Sequence, residues 1–210
     1  MSKPEIVIVG GGGHALVVAE AATLCDVRVR GCFDDEAETN LSRRLKIERL
    51  GSLADFTSMA GAAGAFILAM GDLALRARVV EALGSAGGRG ATLVHPAAHV
   101  SKTARLGPGV YVGPGAVVHS FAEIGAHAII NSGAIVEHEC VIGMGAHVAP
   151  GAVLGGGASI GASTLAGLGC RVLPRVAVGA RCTIGAGAVV TRGVADAGLV
   201  VGVPARAANR

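Results

Sequence analysis

Two rhythms of apolar residues divide the chain. Up to about residue 95 the apolar runs alternate in kind. "EIVIVG" is short and rich in β-branched residues and reads as a strand. "HALVVAEAATL" begins at a run of glycines and reads as a helix. "VRVRGCFDD" is a second strand that ends in two acids, and "AFILAMG" is a third, buried one. Asp72 then caps "LALRARVVEALGSAG", whose apolar residues recur at helical spacing. "ATLVHP" reads as a fourth strand. The pattern predicts a small parallel βαβ sheet over residues 1–95, about half of a dinucleotide-binding fold.

From residue 100 an aliphatic side chain recurs at every sixth position, from Val100 to Val190, with one lapse at Ala166. That makes sixteen hexads without an insertion. Four residues after each aliphatic position stands a small one, from Ala104 through Ala134, Cys140 and Thr164 to Val194, and Gly often follows the aliphatic residue directly. Such a register is the hexapeptide signature of a parallel β-helix. Three hexads make one triangular coil of 18 residues, so residues 96–210 form a second domain. The aliphatic residue fills the interior and the small one lets the chain turn. At the usual strand spacing, roughly five coils make a prism about 25 Å tall. Each coil buries its apolar face only against its neighbours.

Composition fits this picture. The 34 glycines would suit a disordered chain, but 51% of residues are apolar and aromatics are only 2%, which suggests tight stacking of small aliphatic side chains. The net charge of +3 is small, no basic run stands out, and bases would find few aromatics to stack on, so nucleic acid is not an expected partner. No signal peptide and no long apolar stretch free of glycine and charge is visible, which predicts a soluble cytoplasmic protein without a membrane role. The five cysteines form no C-x-x-C pair. Cys140, Cys170 and Cys182 all occupy the small inward place on three different faces, and packing is their expected role.

Candidate chemistry lies in two places. In "IVIVGGGGHALVVAEA", Gly10, Gly12 and Ala15 satisfy G-x-G-x-x-G/A between a strand and a helix, with Asp34 and Asp35 about twenty residues on. This is a Rossmann-like phosphate loop, but the second nucleotide-binding half of a dehydrogenase is missing. The other place is "INSGAIVEHECVIG", where Glu137, His138 and Glu139 interrupt the small residues off the inward positions. A carboxylate that holds one imidazole nitrogen protonated leaves the other to accept a proton, the arrangement of a general base; an exposed polar corner is the plainer alternative. His147 could donate to a carbonyl or an oxyanion, or lie on the surface or at an interface. His119 and His127 are expected to be structural or interfacial, and His95 and His99, flanking Pro96, to serve a hinge or packing.

Taken in order, "VGGGGHALV", "CFDD", "LAMGD", "LVHP", "IVEHECVIG", "AHVAPGA" and "VGVPAR" resemble the hexapeptide acyltransferases built from a short nucleotide-binding half and a left-handed β-helix. Within them the chain looks most like the bacterial sialic-acid O-acetyltransferase and nucleotide-amino-sugar N-acetyltransferase group. The resemblance implies acetyl-CoA as donor and no metal. His138 would be the general base and Glu139 its orienting partner. Acetyl-CoA would meet His147, Asn131, Leu168, Gly185 and Ala186, although a close relative has Gly at the position matching Ala186. A UDP-, dTDP- or GDP-linked amino sugar would meet Gly12, Gly13, His14, Asp34, Asp35 and Gly71. It also implies a homotrimer with sites where subunits meet. Rival readings are a sialic-acid-type O-acetyltransferase, a zinc carbonic-anhydrase-like β-helix enzyme, an NAD enzyme and a non-catalytic scaffold. Zinc would need three converging histidines, whereas His119, His138 and His147 fall at different places of the repeat.

Overall fold

The computed structural model describes residues 3–59, 64–86 and 89–208. Two units emerge, Met1–Pro96 and Ala97–Arg210.

In the first unit the run Glu5–Val9 forms β1, buried at all but its first residue. Then come α1 (Gly13–Leu24), β2 (Arg28–Phe33), α2 (Asn40–Leu45), β3 (Arg49–Gly51), α3 (Leu53–Met59), β4 (Ala65–Leu68), α4 (Leu73–Ala86) and β5 (Arg89–Gly90). The five strands are parallel, in the order β3-β2-β1-β4-β5. Strand order therefore reverses at β1, and the loops leaving β1 and β4 lie at the switch point where open α/β sheets bind ligands. Phe33, Phe56 and Phe66 form the centre of the core, with ring centroids 5.4 and 5.1 Å apart, packed among Val7, Val9, Leu68 and Leu83.

Residue periodicity overlooks three elements between β2 and β4. α2 is short and buries only Leu41, so it has almost no apolar face. A capping box marks it instead: Thr39 accepts from Ser42 N–H, while the Ser42 hydroxyl receives Thr39 N–H. β3 is too short to show an alternation. "ATLVHP" is also read differently by the structure: the last strand of the sheet is β5, and Leu93–Val94 forms a two-residue strand outside it. Gly87, the end of the helix expected after Asp72, lies outside the described residues.

In the second unit the hexads close into coils with a step of 18 residues. On one face Val100, Val118, Val136, Leu154, Val172 and Val190 pair in parallel succession. A second ladder runs Leu106, Ile124, Ile142, Ile160, Val178. The third runs Val112, Ile130, Val148, Ala166, Ile184 and then Val200. An antiparallel strand, Arg206–Ala207, pairs on Val200–Val201 and covers that last edge. Cys140, Cys170 and Cys182 are buried at the inward place, and burial pushes the Cys170 thiol up to about 11. Thr164, the one hydroxyl there, is satisfied: it donates to Gly179 O at 2.8 Å and accepts from Cys182 N at 2.9 Å.

A further rule of the repeat emerges from the backbone. The third residue after each inward aliphatic adopts positive φ at every hexad from residue 109 to residue 187. Eight of these fourteen places hold Gly, and the others are Phe121, His127, Glu139, Ser163, Arg175 and Arg181. A side chain at such a place costs about 1–2 kcal/mol, so each exception invites a reason.

Candidate functional site

The β-helix candidate sits on one turn. Its residue Glu139 occupies a left-handed corner at φ 60°, and His138 precedes it. Glu139 Oε2 lies 2.9 Å from His138 Nδ1. An ionised carboxylate only accepts, so Nδ1 carries the ring proton and Nε2 presents a lone pair. The His138 side chain is 58% exposed, within reach of a substrate. Its ring leans toward the next coil and rests over Gly156: a methyl there would come within 2.5 Å of Nε2 and 2.6 Å of Cε1. Gly156 needs no positive φ, and the three nearest atoms a Cβ there would meet all belong to the His138 ring, so a side chain at this place would push the ring aside. Residue spacing overlooked it, although Gly156 stands one coil, 18 residues, above His138. Below, His119 Nε2 lies 3.7 Å from Glu137 Oε1.

The structure also joins Asn131 to His147. Asn131 is buried, and its Oδ1 accepts from Ser132 N–H at 2.8 Å. That contact sets the amide so that Nδ2 faces His147 Nε2 at 3.0 Å. Nδ2 donates, Nε2 accepts, and the His147 proton resides on Nδ1. The two hydrogen bonds orient the rings for opposite duties: His138 in its neutral form turns a lone pair on Nε2 outward, and His147 in its neutral form an N–H on Nδ1. Leu168 is exposed, as is Ala186, whereas Gly185 is half-buried with Val201 Cγ1 2.8 Å from where its Cβ would stand. Among the described residues no cluster of three His, Cys, Asp or Glu side chains suits a metal ion.

In the first unit the glycines have distinct duties. Gly10, at φ +105°, lies against the Ala69–Met70 backbone, where a Cβ would have 3.1 Å. At Gly11 a Cβ would press on Thr39 at 2.5 Å. Gly12, Gly13 and Gly71 are different: φ is unexceptional and a Cβ would meet nothing within 4 Å. Gly12 caps α1 without a side-chain hydrogen bond, and no acid sits in the first turn, so this helix end keeps its positive character. The two acids serve the backbone. Asp34 accepts from Gly11 N–H at 2.6 Å and Glu36 N–H at 2.8 Å, and Asp35 accepts from Leu53 N–H at 3.0 Å at the start of α3.

His14, in the first turn of α1, is half-buried, and its pKa is lowered to about 4 by burial and then by the charge of Arg76. The residue therefore stays neutral at physiological pH. Arg76 on α4 is 1% exposed, with its pKa lowered to about 10 by burial, so it keeps its charge. Sequence reasoning did not single out Arg76, which looks like one more polar position of an amphipathic helix.

Known proteins share this fold. The PglD N-terminal domain family matches residues 5–83, and the bacterial transferase hexapeptide family (six repeats) matches residues 121–156. A search of curated proteins returned no match. Perosamine N-acetyltransferase from Caulobacter crescentus, solved as a histidine-to-asparagine variant with CoA and GDP-perosamine, is 34% identical; the match covers 100% of this chain and 99% of that one, with a TM-score of 0.90. A histidine-to-alanine variant was also solved with the same two ligands and superimposes equally well, at 0.90. The acetyltransferase domain of PglB from Neisseria gonorrhoeae, in complex with acetyl coenzyme A, is 29% identical over 99% of this chain and 100% of that one, with a TM-score of 0.88.

Proposed function

The chain belongs to the hexapeptide-repeat acetyltransferases that carry a PglD-type N-terminal domain, and from that premise we propose how it works on a nucleotide-linked amino sugar with acetyl-CoA as donor. The observation that carries the reading is the His138–Glu139 pair, exposed on a corner with its proton held on the far nitrogen.

The chemistry follows from the two imidazoles. The neutral amine of the sugar attacks the thioester carbonyl of acetyl-CoA. His138 Nε2 takes the amine proton as the C–N bond forms, and Glu139 stabilises the resulting imidazolium. Negative charge gathers on the carbonyl oxygen, where His147 Nδ1–H donates to it. The C–S bond then breaks, and the thiolate recovers a proton from His138 directly or through water. Asn131 supports the step by fixing the His147 tautomer. Leu168, Gly185 and Ala186 line the path assigned to the donor. Each of these roles is part of the proposal.

The acceptor's nucleotide is assigned to the loop leaving β1. Glycine at Gly12, Gly13 and Gly71 is unexplained by the backbone but leaves space at the switch point where strand order reverses. Phosphate would meet the N-terminus of α1, with the buried Arg76 charge beside His14 adding to the positive field. Asp34 and Asp35 shape that loop and the start of α3 by backbone hydrogen bonds, and each carboxylate keeps acceptor sites for the ribose or base of the nucleotide.

GDP is the first base to test, because the perosamine enzyme binds GDP-perosamine. A homotrimer with sites at the subunit borders, acting in the cytoplasm where CoA and nucleotide sugars are made, completes the proposal. None of the helices among the described residues is long and apolar enough to cross a membrane. The experiment is a panel of GDP-, UDP- and dTDP-linked amino sugars with acetyl-CoA, read by thiol release. Turnover with one of them is expected. Turnover only with free sialic acid would make the enzyme an O-acetyltransferase.

A further inference from the structure

Three of the four phenylalanines make the core of the first unit. The fourth, Phe121, is 65% exposed and stands at a left-handed corner of the β-helix, φ 59°. An aromatic side chain is poorly suited to both conditions. Backbone sterics would favour Gly there, as at eight sister corners, and the ring is outside any core. Strain of this kind persists where function maintains it.

Its position points to the function. Corners stack at intervals of 18 residues, so Thr103, Phe121, Glu139 and Gly157 form one column. Glu139 N–H donates to Ser120 O at 3.0 Å, tying the Phe121 turn to the His138–Glu139 turn. Phe121 N–H donates to Thr103 Oγ1 at 3.2 Å, and Ser101 Oγ lies 3.0 Å from that oxygen, so the turn is held from below as well. The His138 ring leans the other way, over Gly156 in the following coil. The proposed donor contacts His147, Leu168 and Ala186 all come later in the chain than His138, on that following side. The side of Phe121 is therefore the one left for the sugar that carries the amine.

We propose that Phe121 forms the apolar wall of the acceptor site, packing its ring on the C–H face of the sugar whose amine is presented to His138. This rests on the acetyltransferase reading above. Pyranose C–H groups carry slight positive charge and suit the negative face of an aromatic ring. The contact would hold the sugar in line without competing for the amine proton.

The test compares Phe121→Gly and Phe121→Tyr with the wild type by steady-state kinetics, unfolding midpoint and sedimentation mass. Phe121→Gly should raise KM for the nucleotide sugar about 10–100-fold and leave KM for acetyl-CoA within about twofold, on the scale of a lost apolar contact. Its unfolding midpoint should not fall, since glycine suits the corner. Phe121→Tyr should keep sugar KM close to wild type. An unchanged sugar KM in Phe121→Gly, or an equal rise in both KM values, overturns the proposal. So does a fall in sedimentation mass, which would place the ring between copies of the chain. If the wild type acetylates only free sialic acid, the nucleotide reading falls by itself, and the same variant is measured with that acceptor: an unchanged KM there overturns the wall too.

Discussion

Glycine is used in opposite ways at the two candidate sites. On the loop after β1, Gly12 and Gly13 stand where backbone and packing would accept a side chain. At the β-helix corner, Glu139 stands where the backbone favours glycine. In the first case the protein gives up a side chain and leaves room. In the second it keeps a side chain at a conformational cost. Both depart from local preference, the pattern expected where a functional role rather than folding governs a residue.

That contrast can be broken experimentally, and the largest effect belongs to the corner. His138→Ala should lower kcat about 10²–10⁴-fold while sedimentation and circular dichroism stay unchanged, the usual scale of a lost general base. Near-normal thiol release would remove His138 from the mechanism. Gly156→Ala comes next. Its methyl would displace the His138 ring, and a shift of about 1 Å can cost about 10²-fold in rate. If kcat survives, the ring has another productive position.

Gly13→Ala probes the loop from the opposite direction. It should leave stability unchanged or raise it by about 0.4–1 kcal/mol through the unfolded chain, yet weaken nucleotide-sugar binding about tenfold by calorimetry. Unchanged affinity would show that the empty space serves no ligand. At the corner, Glu139→Gly and Glu139→Ala should both lose kcat about equally, but the Gly variant should be the more stable by about 1 kcal/mol in urea, because only Ala retains the left-handed strain. Equal stabilities would mean that the corner carries no strain.

The last effect falls on stability alone and concerns His14. Folded, it has a pKa of about 4, against an ordinary 6.5. Between those values the unfolded chain binds a proton that the folded one rejects, so the contribution is full above pH 6.5 and declines as pH falls toward 4. His14→Gln should flatten the loss of the urea midpoint between pH 7 and 5. An unaltered slope would show that His14 titrates normally.

Much of this was legible in residue order. Sixteen hexads required stacked coils, because the same inward position must find an apolar neighbour 18 residues away. Glu137-His138-Glu139 was visible because three ionisable residues interrupt a run of small ones. The capped helix α2 and the three-residue β3 were not visible, since neither carries an apolar period. Arg76 was hidden for the converse reason: a lone arginine on an amphipathic helix is expected outside, and only the packed unit shows it buried next to His14.

Residue spacing alone therefore determined the coil register and the change of rhythm near residue 95, and it brought out Glu137, His138 and Glu139 without choosing between the two carboxylates, because these depend on periodicity and on neighbours in the chain. Tertiary structure decided the rest. It showed that Asp34 and Asp35 serve the backbone, that Asn131 sets the His147 proton, that Gly156 yields its place to a ring and that Phe121 shares a column with Glu139. Each of these depends on atoms brought together across coils or strands, and on which hydrogen-bonding groups remain to be satisfied once the backbone has closed, so it exists only in the folded chain.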